Sequence, residues 1–197
     1  MSISKQLFSS KDQTWGTPRP FFKQLDNIFS FKLDPCCEHH TAKCEMHFTK
    51  EEDGLKQDWS AIGNAFVNPP FGRALAVWMK KCQEEADKGI TVVMLIPARP
   101  DTSYWHDIAF RYASCVCFIK GRIKFGDEGQ IGQFGGAVGA PFPSAIVVFG
   151  NCTVEQSKQL EKFGKVFNVT KTEVFEAEAL RAPPIPKGTG IRAGDRL

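Results

Sequence analysis

The sequence predicts an α/β fold, a three-layer sandwich around a mostly parallel sheet with an antiparallel pair of strands at one edge. Apolar positions recur at helical spacing in residues 20–29, 74–88 and 104–112, and short β-branched runs alternate with them. Residues 90–96, Ile-Thr-Val-Val-Met-Leu-Ile, are nearly continuously apolar, the pattern of a strand covered on both faces. Strands alternating with helices argue for parallel neighbours joined by helical crossovers.

Taken in order, residues 1–14 are polar and expected to be loose. Phe21, Phe22, Leu25, Ile28 and Phe29 give the first helix one apolar face. Residues 31–33 read as a short strand entering Asp34-Pro35, residues 44–48 as a second, and residues 65–67 as a third that runs into Asn68-Pro69-Pro70-Phe71. In the helix expected over 74–88, Leu75, Val77, Trp78, Met79, Cys82 and Ala86 suit packing on a sheet, and Gly89 stops it. The strand over 90–96 and a helix over 104–112 follow. Residues 115–119 and 145–149 complete the strands, with no helical pattern between them, hence the antiparallel pair. The glycine-rich residues 126–139 separate them, and an amphipathic stretch spans 163–178. Residues 1–181 are expected to form a single domain and residues 182–197 a flexible basic tail, whose Arg181, Lys187, Arg192 and Arg196 are either solvated or in reach of phosphates.

The composition is that of an ordinary globular chain: 197 residues, 42% hydrophobic and 24% charged. A net charge of only +3 means that any nucleic-acid contact must come from a local patch. No apolar run approaches the roughly 20 residues of a membrane span, and the amino terminus has no secretory pattern. Seven cysteines, an odd number, then point to reduced thiols in a cytoplasmic protein.

The run Val67-Asn68-Pro69-Pro70-Phe71-Gly72 suits one chemical problem, methylation of an amino nitrogen whose lone pair is delocalised into a nucleobase ring. Such a nitrogen attacks only if acceptors hold its protons and localise the pair. Asn68 offers a side-chain carbonyl and Pro69 a main-chain one, while two prolines of fixed φ stiffen the loop. Phe71 offers a flat face on which a base can stack. By itself the tetrapeptide reads equally as a turn ending a strand. Its position decides for a site, because open α/β sheets bind ligands beyond the carboxyl ends of their strands, where both Asp34-Pro35 and this loop fall.

Three further segments surround the loop: Asp12-Gln13-Thr14-Trp15-Gly16-Thr17-Pro18, then Phe31-Lys32-Leu33-Asp34-Pro35-Cys36-Cys37, then Asp53-Gly54-Leu55 with Asp58-Trp59. With Leu95-Ile96-Pro97-Ala98-Arg99, Gly121-Arg122-Ile123-Lys124-Phe125 and Pro143-Ser144-Ala145, the set resembles the phage-type DNA N-6-adenine methyltransferases over roughly residues 12–150. The resemblance implies a fold like that of S-adenosylmethionine-dependent methyltransferases and the transfer of a methyl group to a flipped adenine in DNA, expected to be double-stranded. Asn68, Pro69, Pro70 and Phe71 would then be catalytic. Trp15, Thr17, Pro18, Asp34, Pro35, Cys36, Asp58 and Asn68 would hold the methyl donor, with Asp34 near its methionine or ribose end and Asp58 near its adenine. Neither a metal nor a covalent intermediate is expected, and the setting implied is the cytoplasm of a bacterium carrying a phage or prophage. The chain departs from the family in having Phe71 where many members have Tyr, and Thr41 where Asn is frequent. Read from the residues alone, Asp34 is a strand-end cap and Asp58 a helix N-cap or turn.

Arg99, Arg122 and Lys124 follow strand ends, as DNA contacts or a solvated rim. Gln130, Gln133 and Phe134 in the glycine-rich stretch suit base reading. Cys36, Cys37, His39, His40, Cys44 and His47 fall within twelve residues and would suit zinc. They define a rival, a non-catalytic zinc-stabilised DNA-binding module. A second rival is a methyltransferase acting on an RNA guanine or a protein glutamine, although the glycine-rich donor loop usual there is absent.

Overall fold

The computed structural model describes residues 16–125 and 140–169. Trp15, Gln130, Gln133, Phe134 and the basic residues beyond 181 lie outside them. The elements in chain order are α1 (Arg19–Phe29), β1 (Leu33–Asp34), β2 (Met46–His47), β3 (Ala65–Val67), α2 (Leu75–Asp87), β4 (Val92–Pro97), a π-helical turn (Trp105–Ala109) continuing into α3 (Phe110–Tyr112), β5 (Ala113–Ile119), β6 (Ser144–Phe149), α4 (Val154–Leu160) and β7 (Gly164–Asn168).

All seven strands form one sheet in the order β2-β1-β3-β4-β6-β5-β7. Strands β2, β1, β3 and β4 are parallel neighbours. β6 runs antiparallel to both β4 and β5, so β5 points the same way as β4. The expected antiparallel pair is therefore present, and β7 adds one more antiparallel strand outside β5.

The period of two along β4 divides the core. Val92, Met94 and Ile96 face one layer, with Leu75, Trp78 and Met79 of α2 and Trp105 of the π turn. Val93 and Leu95 face the other, with Phe22, Leu25 and Phe29 of α1 and Leu160 of α4. β4 is buried along its whole length, as its unbroken apolar run requires. This is a three-layer sandwich, compatible with a methyltransferase-like fold.

α1 starts after Pro18 with a second proline in its first turn, where the missing N–H costs nothing. It ends at Ser30, which adopts a left-handed conformation (φ 53°), and the Asp26 carboxylate accepts the Phe31 N–H at 2.8 Å. At the amino ends of the strands, Asn64 ties three elements together: its Nδ2 donates to the Phe29 carbonyl (2.7 Å) and its Oδ1 accepts from Thr91 N (3.0 Å). Near the same end, Glu85 of α2 is fully buried and accepts from Trp59 N (3.0 Å), Lys81 Nζ (2.5 Å) and Lys88 Nζ (2.8 Å). Trp59 stacks on Trp78 with centroids 6.3 Å apart, under the Lys81 ammonium at 5.4 Å. Among the described residues no helix is long and apolar enough to cross a membrane.

Two elements depart from the sequence reading. α4 was not anticipated, because a seven-residue helix burying only Ser157 and Leu160 has no apolar stripe to display; its legible signal was the Thr153-x-x-Gln156 capping box. The stretch read as amphipathic from residue 163 opens instead as the edge strand β7, with Phe167 about half exposed.

Candidate active site

The carboxyl ends of β1, β3, β4 and β5 lie along one edge of the sheet, and the chain leaving each carries the residues singled out above. β3 delivers Asn68 straight from a fully buried strand. Asn68 Nδ2 donates to Thr17 Oγ1 at 3.0 Å, and Thr17 is itself 2% exposed. This bond ties the end of β3 to the segment entering α1. Pro69 is buried and Pro70 half-buried, so the loop is held by packing as well as by two fixed φ angles.

β1 delivers Asp34, 3% exposed. Its Oδ2 accepts Lys43 N–H (3.0 Å) and its Oδ1 accepts Cys36 N–H at a longer 3.4 Å, while Phe48 N–H bonds its main-chain carbonyl (3.1 Å). Burial pushes the Asp34 carboxyl above its usual pKa, opposed by the Lys43 and Cys36 N–H groups. In this structure Asp34 therefore organises the 36–43 loop, as a strand-end cap does. Pro35 is packed beneath Gly54, where a methyl group would come within 2.0 Å of the Pro35 carbonyl oxygen; only glycine allows that approach. Cys36 packs partly against the core, and burial with the neighbouring Asp34 charge keeps its thiol protonated far above the ordinary range.

Phe71 is 8% exposed, and its ring meets Phe142 (5.4 Å, 90°) and Phe125 (6.3 Å, 77°) edge to face. The face expected to be open for a base is thus lined by two aromatic rings that the sequence reading did not connect with it. Both flank the glycine-rich segment, and pairing between loop ends carries no local sequence signal.

Asp58 is not brought to this edge. Its carboxylate accepts from Ser60 N (3.1 Å), Ser60 Oγ (2.8 Å) and Lys88 Nζ (3.1 Å), at the far end of the helix that starts after Phe71. Those three bonds hold its pKa down to about 2. Asp58 thus takes part in a turn and an ion pair near the carboxyl end of α2, while Gly54 of the same segment packs on Pro35. Arg99, Arg122 and Lys124 are exposed and do follow the carboxyl ends of β4 and β5.

His39 and His47 share a ring-nitrogen contact of 2.9 Å, but among the described residues no group of three or more His, Cys, Asp or Glu converges as a metal site would. Cys44, half-buried, has its thiol pushed up to about 12 by burial and by the Asp34 charge.

A mixed, mostly parallel α/β sheet whose carboxyl edge carries an Asn-Pro-Pro-Phe loop is compatible with a methyltransferase-like protein. Residues 4–169 match the family model described as DNA N-6-adenine-methyltransferase (Dam), and the chain belongs to that family. It is also 36% identical over 63 residues to the "Putative methyltransferase YfdM" of Escherichia coli K12, a match covering 29% of this chain and 69% of that protein.

Proposed function

We propose that this chain transfers the methyl group of S-adenosylmethionine to the exocyclic amino group of an adenine flipped out of DNA. The observation that carries the reading is the position of Asn68-Pro69-Pro70-Phe71 directly at the carboxyl end of the buried strand β3, with Asn68 held to Thr17 of the segment entering α1. An amino group presents only protons in its plane, so an acceptor there binds it and a donor repels it.

S-adenosylmethionine, when bound, supplies an electrophilic methyl on a sulfonium centre. Thr17, Pro18, Pro35 and Asn68 are the residues that would hold it, and their donor set fits: a hydroxyl, an amide and main-chain carbonyls suit ribose hydroxyls and an ammonium group. The Asp34 carboxylate would act there mainly by shaping the loop. Asn68 Oδ1 and the Pro69 carbonyl accept the two amino protons, localising the lone pair and stabilising the positive charge that develops on nitrogen. Phe71 stacks on the base once Phe142 yields, since the target has to leave the helix to be reached. Arg99, Arg122 and Lys124 are proposed to hold DNA, as a duplex, through its phosphates. The proposed catalytic unit spans residues 1–181.

Asn68→Ala is expected to lower methyl transfer to unmethylated duplex DNA by at least about a hundredfold, the scale of losing one preorganised acceptor or donor of developing charge, with donor affinity largely kept. Near-normal formation of N-6-methyladenine by the variant would refute the assignment.

A further inference from the structure

Around α2, Lys56 pairs with Asp53, Lys80 with Glu84, Lys81 with Glu85, and Lys88 with both Glu85 and Asp58. On the opposite layer, a groove of about 410 Å³ opens between the start of α1 and the end of β5 and is lined by Lys120, Arg122, Lys124 and Lys162. Among the described residues none of these four has a carboxylate within ion-pairing distance. Among the described residues, no acidic one lines the groove.

Two further observations mark it as built for an anion. α1 begins at its rim with no side-chain cap and no acidic residue in its first turn, so the unsatisfied N–H groups of an eleven-residue helix add positive potential. The floor is aromatic: Phe21 meets Phe163 edge to face at 5.2 Å, and Lys162 lies 5.1 Å above the Phe163 ring. Cations interleaved with aromatic faces suit a nucleic-acid strand better than an isolated phosphate. The groove also shares Pro18 with the segment whose Thr17 holds Asn68, so a strand lying in it ends beside the catalytic loop.

We propose that this groove seats the phosphate backbone of the DNA strand adjoining the target base, with Lys120 and Lys162 as phosphate contacts that the strand-end pattern alone did not single out. The assignment rests on the DNA-methyltransferase reading above.

The test compares Lys120→Ala/Lys162→Ala with Lys50→Ala/Lys80→Ala, which removes the same charge elsewhere. DNA affinity is measured by anisotropy over a salt series with an unmethylated duplex, together with donor affinity and thermal stability. The groove pair is expected to weaken DNA binding about tenfold near 0.1 M salt and to reduce the salt slope by about 1.8, for two lost phosphate contacts. The comparison pair should stay within about twofold, with donor binding unchanged in both. Equal behaviour of the two pairs, while the parent protein binds and methylates DNA, would overturn the groove alone, as would a loss confined to an RNA hairpin. A parent protein that neither binds nor methylates DNA would overturn both readings.

Discussion

A buried hydroxyl, Thr17 Oγ1, is a partner of the Asn68 amide. Thr17 Oγ1 accepts from Nδ2 at 3.0 Å in a site only 2% exposed, and the alternative amide orientation would set oxygen against oxygen unless the hydroxyl turned its own proton inward. Thr17→Val removes the acceptor at nearly constant volume and is expected to lower kcat about tenfold or more with a smaller change in KM, whereas Thr17→Ser should restore it. Steady-state kinetics of the three proteins measure the split; a purely packing role for Thr17 would leave Thr17→Val the better enzyme of the two variants. Asn68 itself was legible in the sequence because its chemistry is carried by side-chain type and neighbours. Its orientation was not, since the partner stands 51 positions away.

At the scale of elements, legibility followed burial pattern. The strand over 90–96 and the helix over 74–88 declared themselves because each buries a regular face. The π-helical turn at Trp105–Ala109 sits within the helix expected over 104–112, and spacing alone does not separate the two. The Asp58–Lys88 ion pair was not legible, because its partners stand 30 positions apart and α2 brings them together. The same helix carries Glu85. Burial opposes its charge, but Lys81, Lys88 and the Trp59 N–H outweigh that and hold the carboxyl below its usual pKa. A depressed carboxyl pKa stabilises the fold above the unfolded value, about 4.3, and the contribution is lost as pH falls through the folded value. Glu85→Gln is therefore expected to cost about 2–3 kcal/mol at pH 7, with the gap to the parent narrowing below about pH 4. Urea denaturation at pH 7 and pH 3.5 reads both; a gap that stays constant would show that Glu85 acts through shape and not through charge.

Across the whole molecule, the amino ends of the strands are closed by side-chain bonds of Asn64, Trp59 and Glu85, and the carboxyl ends of β1, β3 and β4 lead into the loops that hold Pro35, Asn68 and Arg99. That division was readable from the position of Asn-Pro-Pro-Phe after a strand, but the distribution of charge was not. A net charge of +3 gives no hint that four cations gather at one groove with no acidic residue in its described lining. The consequence concerns how the protein arrives as well as how it stays. Such an imbalance exerts a torque in the field of a polyanion, turning the groove toward the duplex before contact, so productive encounters outnumber those of an evenly charged surface. Stopped-flow association with duplex DNA should thus slow steeply between low and moderate salt, while dissociation changes less, and the groove pair of lysine variants should flatten that dependence.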